Sequence, residues 1–392
     1  MSTSSPAKKK GEIFTATVRD LASDGRGILS HPNGLTVFVP GVWPGETCAV
    51  RFLGLQNRIG LGECVDLISP SPARIKPPCP HQGFNPGECG GCPWQFIRYD
   101  EQIAQKQQRV EQAFARIDFN NVKPLWASPQ EFEYRNRAQL KTDGEVIGYL
   151  SANSRNIAPI EQCAVLNQHN QQTLTDLRAG LPNREWQVRR SGNKNKIQWT
   201  TLNIDDSLTA QQVLVNQRLP FQQSHAQQNA RMRAWVQQQL NHIESPGPVL
   251  ELFCGAGNFT EVIASTLVVD VLAVEGEQRS IDALTEKNLA EVKGLCLNLY
   301  DANAFATIYK VQRDFKVLVL DPPRDGLKNT AGLLPSGNTI ANIFYISCNL
   351  STLCRDIQFF QQHGFDIEEV QALDNAPHTP HIELLVHLKK SS

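Results

Sequence analysis

The C-terminal half of the chain contains a series of apolar runs that each end on polar residues or glycine. The first run, Val249 to Leu252, breaks into a turn with two glycines, Phe253 to Asn258, and the chain then becomes apolar again. This pattern predicts a buried strand, a tight turn and the start of a helix. Four later runs repeat the strand portion: Val271 to Glu275, Leu295 to Asp301, Val317 to Asp321 and Ile343 to Cys348. Such apolar strands favour an open, mostly parallel α/β sheet.

The ends of these predicted strands define the best candidate site. In an open α/β sheet, ligands bind outside the carboxyl ends of the strands. Five residues are therefore expected to share one edge: Gly255, Glu275, Asp301, Asp321 and Cys348. This convergence predicts an enzyme site rather than a binding surface.

The N-terminal part of the chain has a different pattern. Residues 12 to 69 alternate with the two-residue period of strands, as in Phe14 to Val18, and Pro32-Asn33-Gly34 supplies a hairpin turn. Five short strands over this span predict a small β-barrel. Ser69 to Pro72 marks its boundary, and a helix from about Ala226 to Leu240 is expected to lead into the C-terminal domain.

Composition limits the class of protein. The chain has 392 residues, 41% hydrophobic and 20% charged, which fits a soluble globular protein of two or three domains. No apolar run is long enough to span a membrane, and the Ser/Lys tail, residues 1 to 11, lacks the apolar core of a signal peptide. We therefore expect a cytoplasmic protein whose ten cysteines are thiols or metal ligands rather than disulfides.

The charges are unevenly distributed along the chain. Residues 70 to 200 carry 17 Lys and Arg against 12 Asp and Glu, a net +5, whereas residues 201 to 392 carry 14 against 21, a net −7. Any polyanion is therefore expected to bind the middle of the chain. The densest basic stretches are Tyr134 to Arg137 and Arg189 to Lys196, which combine charge with polar or aromatic groups, as RNA contacts require. An ordinary solvated surface is the alternative.

Four cysteines are candidate metal ligands. Cys79, Cys89 and Cys92 form a C-x9-C-x2-C pattern within a loop rich in proline and glycine, and Cys163 lies far along the chain. Four thiolates hold either zinc or an iron–sulfur cluster, and the spacing does not choose between them. The pattern differs from the three-then-two spacing of radical S-adenosylmethionine enzymes.

The glycine turn indicates the kind of cofactor. Glu275 lies 20 residues beyond Gly255, where an acidic residue at the end of the second strand binds ribose hydroxyls. Thr260 stands where the dinucleotide fingerprint has its third glycine. The absence of that glycine disfavours a nicotinamide dinucleotide and favours an adenosyl cofactor without a pyrophosphate.

A set of ordered motifs covers nearly the whole length of the chain. In chain order these are Val39 to Glu46, the four cysteines, Phe221-Gln222-Gln223, Leu252 to Phe259, Asp321-Pro322-Pro323-Arg324, Ser347-Cys348-Asn349 and Pro377 to Glu383. Together they resemble the RNA 5-methyluridine methyltransferase family, of the type that carries a TRAM barrel and an iron–sulfur cluster and modifies 23S ribosomal RNA. The resemblance implies four parts: a disordered tail (1–11), an RNA-binding TRAM barrel of the oligonucleotide-binding type (12–69), a central α+β domain with the cluster and RNA-binding surface (70–204) and a Rossmann-like S-adenosylmethionine-dependent methyltransferase domain (205–392).

The resemblance also implies roles for individual residues. Cys348 would be the nucleophile, Glu383 the base, and Cys79, Cys89, Cys92 and Cys163 the ligands of a [4Fe-4S] cluster. S-adenosyl-L-methionine would be bound by Gln223, Phe253, Gly255, Gly257, Asn258, Glu275, Asp301 and Asp321. The expected substrate is RNA, 23S rRNA or alternatively a tRNA uridine, and the expected state is a monomer.

The chemistry explains why such residues are needed. C5 of uracil is a poor nucleophile, so a thiolate must first add at C6 before C5 accepts a methyl group and a base removes its proton. Two rival classes remain open. An amino methyltransferase would carry an aromatic residue where Arg324 stands, and a non-catalytic RNA-binding factor would not need intact Cys348 and Glu383.

Two features depart from the family pattern. The loop between Cys79 and Cys89, with nine intervening residues, is longer than is usual in the family. His225 replaces an asparagine that relatives often carry near the cofactor, and the sequence assigns it no role.

Overall fold

The computed structural model describes residues 10–152, 154–187, 189–190, 197–217 and 221–391. The chain divides into two compact units. The first comprises Met1–Gln102, Gln130–Gln217 and Ala376–His381, and the second comprises Ile103–Pro129, Arg218–Asn375 and Ile382–Ser392. Within the described residues, no helix is long and apolar enough to cross a membrane.

The first unit begins with a six-stranded sheet. Its strands are β1 (Ile13–Thr17), β2 (Asp20–Leu21), β3 (Gly27–Ser30), β4 (Thr36–Val39), β5 (Thr47–Gln56) and β6 (Ile59–Ser69), in the order β1-β5-β6-β4-β3-β2. Alternate residues such as Val37, Val39 and Val50 are buried in one apolar cluster. The sequence predicts five strands here. The extra strand, β2, has only two residues and is too short to show a period.

Helix α1 (Tyr99–Ala115) follows the first sheet. Asp100 lies in its first turn, where a carboxylate interacts favourably with the positive end of the helix dipole. Val110 and Phe114 of this helix are fully buried.

The remainder of the first unit contains a five-stranded sheet and a two-stranded ribbon. The strands are β7 (Arg137–Thr142), β8 (Ile147–Leu150), β9 (Ile157–Pro159), β10 (Arg189–Arg190), β11 (Ile197–Gln198), β12 (Thr200–Asp205) and β13 (Leu214–Val215). The sheet has the order β13-β12-β7-β8-β9, and β10 and β11 form the ribbon. Helix α2 (Gln168–Ala179) packs on this unit's core through Leu174 and Leu177. Residues 191–196 of the second basic stretch lie outside the described residues.

The second unit is built on a seven-stranded sheet in the order β16-β15-β14-β17-β18-β20-β19. Its elements are α3 (Ala226–Asn241), β14 (Val249–Leu252), α4 (Thr260–Thr266), β15 (Val271–Glu275), α5 (Gln278–Glu286), β16 (Val292–Cys296), α6 (Ala304–Val311), β17 (Val317–Leu320), β18 (Asn342–Ser347), α7 (Leu350–Gln362), β19 (Phe365–Leu373) and β20 (Glu383–Lys390). The five strands from β16 to β18 are parallel, and β20 is antiparallel to both neighbours. The predicted open, mostly parallel α/β sheet is confirmed.

The strand order places the candidate site. From β14 the chain proceeds to β15 and β16 on one side and later to β17 and β18 on the other, so the order reverses between β14 and β17. Such a reversal opens a crevice outside the carboxyl ends of the strands. One predicted strand is displaced: β16 ends at Cys296, so Asp301 belongs to the loop before α6.

Candidate active site

The turn after β14 is shaped by backbone conformations that favour glycine. Phe253, Gly255 and Gly257 have φ values of 62°, 53° and 90°. A Cβ atom at Gly257 would lie 2.6 Å from Cδ1 of Leu284, so both the positive φ and this contact disfavour a side chain here. The turn closes with a hydrogen bond from the Gly257 N–H to the Cys254 carbonyl (2.9 Å), and α4 begins three residues later.

Thr260, in the position of the missing third glycine, has a structural partner. Its hydroxyl donates a hydrogen bond of 2.6 Å to the Glu251 carboxyl group within the sheet. Burial raises the pKa of Glu251 to about 8, against the effect of that hydrogen bond. Thr260 therefore satisfies a buried acid at the base of the turn.

Glu275, at the end of β15, is held by backbone amides. Its Oε2 accepts from the Gly255 N–H (3.2 Å), and its Oε1 accepts from the N–H groups of Gly276 (2.6 Å) and Glu277 (3.1 Å). The carboxylate is thus fixed against the glycine turn. Each oxygen keeps further lone-pair capacity for hydroxyl donors.

The other predicted cofactor residues occupy different surroundings. Asp301 lies in an exposed loop, and the Phe253 ring lies 6.0 Å from the Tyr300 ring. The Asn258 side chain exchanges two hydrogen bonds of 3.0 Å with Asn229 on α3. These bonds give Asn258 a role in anchoring α3 to the turn.

The loops that follow β17 and β18 are joined by hydrogen bonds. Nδ2 of Asn349 and the hydroxyl of Thr352 both donate to the Arg324 carbonyl, at 2.9 and 3.1 Å. Oδ1 of Asn349 also accepts from the Ser351 N–H at 3.1 Å, which caps α7. The loop that contains Asp321 is therefore fixed to the loop that contains Cys348.

Cys348, Glu383 and Asp321 interact electrostatically. Burial, followed by the charges of Glu383 and Asp321, raises the pKa of the Cys348 thiol to about 11. Burial and then Asp321 raise the pKa of Glu383 to about 8, while a hydrogen bond from Asn375 and the charge of Arg324 lower it. Burial and then Glu275 raise the pKa of Asp321 to about 7. The site therefore favours protonated groups.

Two residues near this cluster have roles that sequence reasoning did not assign. Nδ2 of Asn375 donates to Oε1 of Gln223 at 3.1 Å, and both residues are 8% exposed. His225 is buried at the start of α3, where its Nδ1 accepts from the Gln228 N–H (3.5 Å) and its Nε2 lies 2.7 Å from the Ser128 hydroxyl. His225 is thus a helix cap. For Asn375 the only sequence signal is its position two residues before the Pro377 to Glu383 motif.

The four candidate ligand cysteines line one small cavity in the first unit, of about 20 Å³. Burial, chiefly, raises the pKa of Cys89 to about 11 and that of Cys92 to about 12; nearby thiols, including Cys163, add to both shifts. Among the residues that the structure describes, no group of three or more His, Cys, Asp or Glu side chains is arranged to hold a metal ion. The convergence of the thiols is observed, and the cluster itself stays a prediction.

The basic stretch at Tyr134 to Arg137 makes contacts within the first unit. Tyr134 is buried, Arg135 Nε donates to the Arg137 carbonyl at 3.0 Å, and the Arg137 guanidinium pairs with Asp205 at 2.6 Å. The Arg135 charge also lowers the pKa of Cys92, against its burial. RNA binding by this stretch stays a prediction.

A doubly wound sheet with a glycine turn after its first strand and acids at the neighbouring strand ends has the architecture of a methyltransferase. The fold matches the Pyrococcus abyssi tRNA (uracil-54, C5)-methyltransferase, solved with S-adenosyl-L-homocysteine, with a TM-score of 0.70 at 18% identity. That match covers 96% of this chain and 100% of the other. The profile of the family described as tRNA (Uracil-5-)-methyltransferase matches residues 145–391. The chain belongs to this family and is an RNA uracil methyltransferase.

Two relatives extend along nearly the whole chain. An RNA methyltransferase of Nitrosomonas europaea, itself uncharacterized, is 38% identical over 385 residues, which cover 96% of this chain and 97% of the relative. The 23S rRNA (uracil(1939)-C(5))-methyltransferase of Legionella pneumophila is 27% identical, with the same coverage of both chains.

Proposed function

We propose that this protein methylates C5 of one uridine in 23S rRNA, with Cys348 as nucleophile and Glu383 as base. The observation that carries the proposal is the register of β18 and β20: Ser347 pairs with Leu384, so Cys348 and Glu383 lie at the same end of the strand pair, and the Glu383 charge raises the pKa of the Cys348 thiol. A nucleophile and a base that act on adjacent atoms of one ring must lie close together.

The steps follow from the chemistry of the two groups. The Cys348 thiolate adds to C6 of the uracil, and electron density moves to C5. S-adenosylmethionine would supply the methyl group that C5 accepts and would leave as S-adenosylhomocysteine. Glu383 then removes the C5 proton, and elimination of the thiolate restores the C5–C6 double bond and the free Cys348.

Several residues suit an adenosyl ligand. The glycine turn at Gly255 and Gly257 admits close approach of a ligand, and the Glu275 carboxylate beside it suits ribose hydroxyls. We assign Asp321 and Gln223 to the same ligand. Asp301 and Phe253 remain candidates at its adenine side, whereas Asn258 would act through the position of the turn.

We also propose that Cys79, Cys89, Cys92 and Cys163 hold a [4Fe-4S] cluster. Cys79, Cys89, Cys92 and Cys163 line one cavity, and four thiolates are the ligand set that such a cluster takes. Ligand thiols must lose their protons, and the cluster would replace the protons that burial now favours on Cys89 and Cys92. Its role would be to stabilise the proposed RNA-binding segment, residues 70–204, because no step above transfers an electron.

A barrel of TRAM type at residues 12–69 and a methyltransferase domain from residue 205 complete the proposed organisation. The barrel and the middle segment would bind RNA around the target. The target uridine would lie in a loop or be flipped out, because a stacked base cannot present C5 and C6 to separate groups.

The deciding experiment is mass spectrometry of rRNA and tRNA from cells with and without the gene. We expect one 5-methyluridine to be lost from 23S rRNA and restored by the wild-type gene, but not by a Cys348→Ala gene. Loss of a tRNA 5-methyluridine instead would reassign the substrate. Unchanged 5-methyluridine in both RNAs would refute the proposal.

A further inference from the structure

Asn375 connects two segments that are distant in sequence. It follows the last residues of β19, and one of its amide N–H groups donates to Oε1 of Gln223 at 3.1 Å. Leu373, two residues before Asn375, pairs with Glu383 at the start of β20, and a hydrogen bond from the Asn375 side chain lowers the pKa of the Glu383 carboxyl group. One buried amide thus joins a residue assigned to the cofactor with the residue assigned as base.

The orientation of this amide is informative. Its nitrogen faces Gln223 and Glu383, while Oδ1 of Asn375 is buried without a hydrogen-bond partner among the described residues. An unsatisfied buried carbonyl is unfavourable. The reverse orientation would place that oxygen against the acceptor oxygens of Gln223 and of an ionised Glu383. The orientation found is therefore the one that suits a negatively charged Glu383.

The surroundings of Glu383 show why a neutral donor matters. Asp321, after β17, opposes ionisation of Glu383, and Arg324 in the same loop favours it. Cys348, after β18, also faces Glu383, and its thiolate would oppose ionisation as well. Asn375 adds a hydrogen-bond donor from β19 without adding charge.

We propose that Asn375 is a positioning residue for the methyltransferase reaction: it favours the ionised form of Glu383 against burial and the charge of Asp321, and it fixes the orientation of the carboxyl group relative to Gln223. The inference rests on the proposed function, because it assumes that Glu383 is the base. A hydrogen bond to the carboxylate favours the charged form, so loss of the bond makes Glu383 a weaker acid. The acidic limb of activity then moves to higher pH.

The test compares pH profiles of kcat for the full-length protein and its Asn375→Leu variant on an RNA that the wild type methylates. We expect the acidic limb of the variant to move up by about one pH unit, the effect of one hydrogen bond to a charged group. Activity should fall about tenfold at neutral pH and approach the wild-type value at high pH. A defect in packing alone would lower activity equally at every pH.

Two further variants make the test decisive. Asn375→Asp keeps the size of the side chain but replaces its donor with a like charge, so it should shift the limb at least as far, even if the leucine variant fails to fold. Gln371→Leu is the matched control, since Gln371 on β19 is also buried, and among the described residues its side-chain amide donates to the carbonyls of Pro124 and Ala372 rather than to a site residue. Its profile should keep the wild-type limb.

Three results would overturn the assignment. The first is a uniform loss of activity across pH in both Asn375 variants, and the second is an equal shift in Gln371→Leu. In either case an active wild type would leave the proposed function intact. The third is a wild-type protein that methylates no RNA, which would refute the proposed function and, with it, this inference.

Discussion

Replacement of Glu383 by glutamine tests the assigned base directly, because the shape of the side chain is kept while its proton-accepting carboxylate is lost. In the proposed reaction Cys348 still adds to C6 and C5 still accepts a methyl group, but the C5 proton has no acceptor. We expect turnover to fall by about 10²- to 10⁴-fold, the usual contribution of a general base. Methylated RNA should accumulate covalently on Cys348.

Replacement of Glu383 should also change the pKa of the Cys348 thiol, which can be measured independently of turnover. Glu383 is the largest cause, after burial, of the raised Cys348 pKa. Because the pKa of Glu383 is about 8, its negative charge is present mainly above that pH. Removal of a negative neighbour favours the thiolate, so the variant should show a lower Cys348 pKa. The pH dependence of thiol alkylation in the absence of RNA measures this change.

The assay for the adduct is a denaturing gel with labelled RNA and excess S-adenosylmethionine. Glu251→Gln is the matched control, because Glu251 is also a buried acid with a pKa of about 8 on the same sheet, but its carboxyl is occupied by the Thr260 hydroxyl. It should turn over without accumulating adduct. Normal turnover in Glu383→Gln, or an equal amount of adduct in both variants, would refute the assignment of Glu383 as the base.

The other predictions concern the nucleophile, a buried ion pair and the glycine turn. Cys348→Ala should form no covalent adduct with 5-fluorouridine RNA yet bind S-adenosylhomocysteine normally by calorimetry; an adduct would show that another residue attacks. Lys106 and Asp374 are fully buried and 2.7 Å apart. Asp374→Ala should therefore lower the free energy of unfolding, measured in urea, by about 3 to 5 kcal/mol. A loss below about 1 kcal/mol, which is typical of an exposed ion pair, would contradict this prediction. Gly257→Ala should cost about 1 to 3 kcal/mol through its positive φ and its clash with Leu284, and an unchanged thermal midpoint would contradict this.

The sheet could be predicted because its central strands are buried on both faces. β14 and β17 are buried runs that are apolar except for Glu251 in β14. The predicted strand from Val271 to Glu275 matches β15. The prediction failed at the edge. In β16 the exposed Lys293 interrupts the apolar run. The strand was therefore predicted from the run that follows, Leu295 to Asp301, which is too far along the chain.

The contacts inside the site could not be predicted in the same way. Asn375 reaches Gln223 and Glu383 only because β19 and β20 pair in one register and α3 begins nearby in this unit. Arg137 looked like a free charge in the sequence because its partner, Asp205, lies on the neighbouring strand β12. Hydrogen bonds and ion pairs between distant segments leave no periodic signal in the chain.

The surroundings of Cys348 determine how readily its thiolate forms. Cys348 directly precedes the Asn349 cap of α7, and a helix N-terminus favours an anion by about 0.3 to 1 kcal/mol at an exposed site, which is less than one pKa unit. Burial and the acids Glu383 and Asp321 act in the opposite direction, so the thiol pKa rises to about 11. The helix therefore does not offset the effects that keep Cys348 a neutral thiol. In the proposed reaction, the Cys348 thiolate has to form when RNA binds and changes that balance.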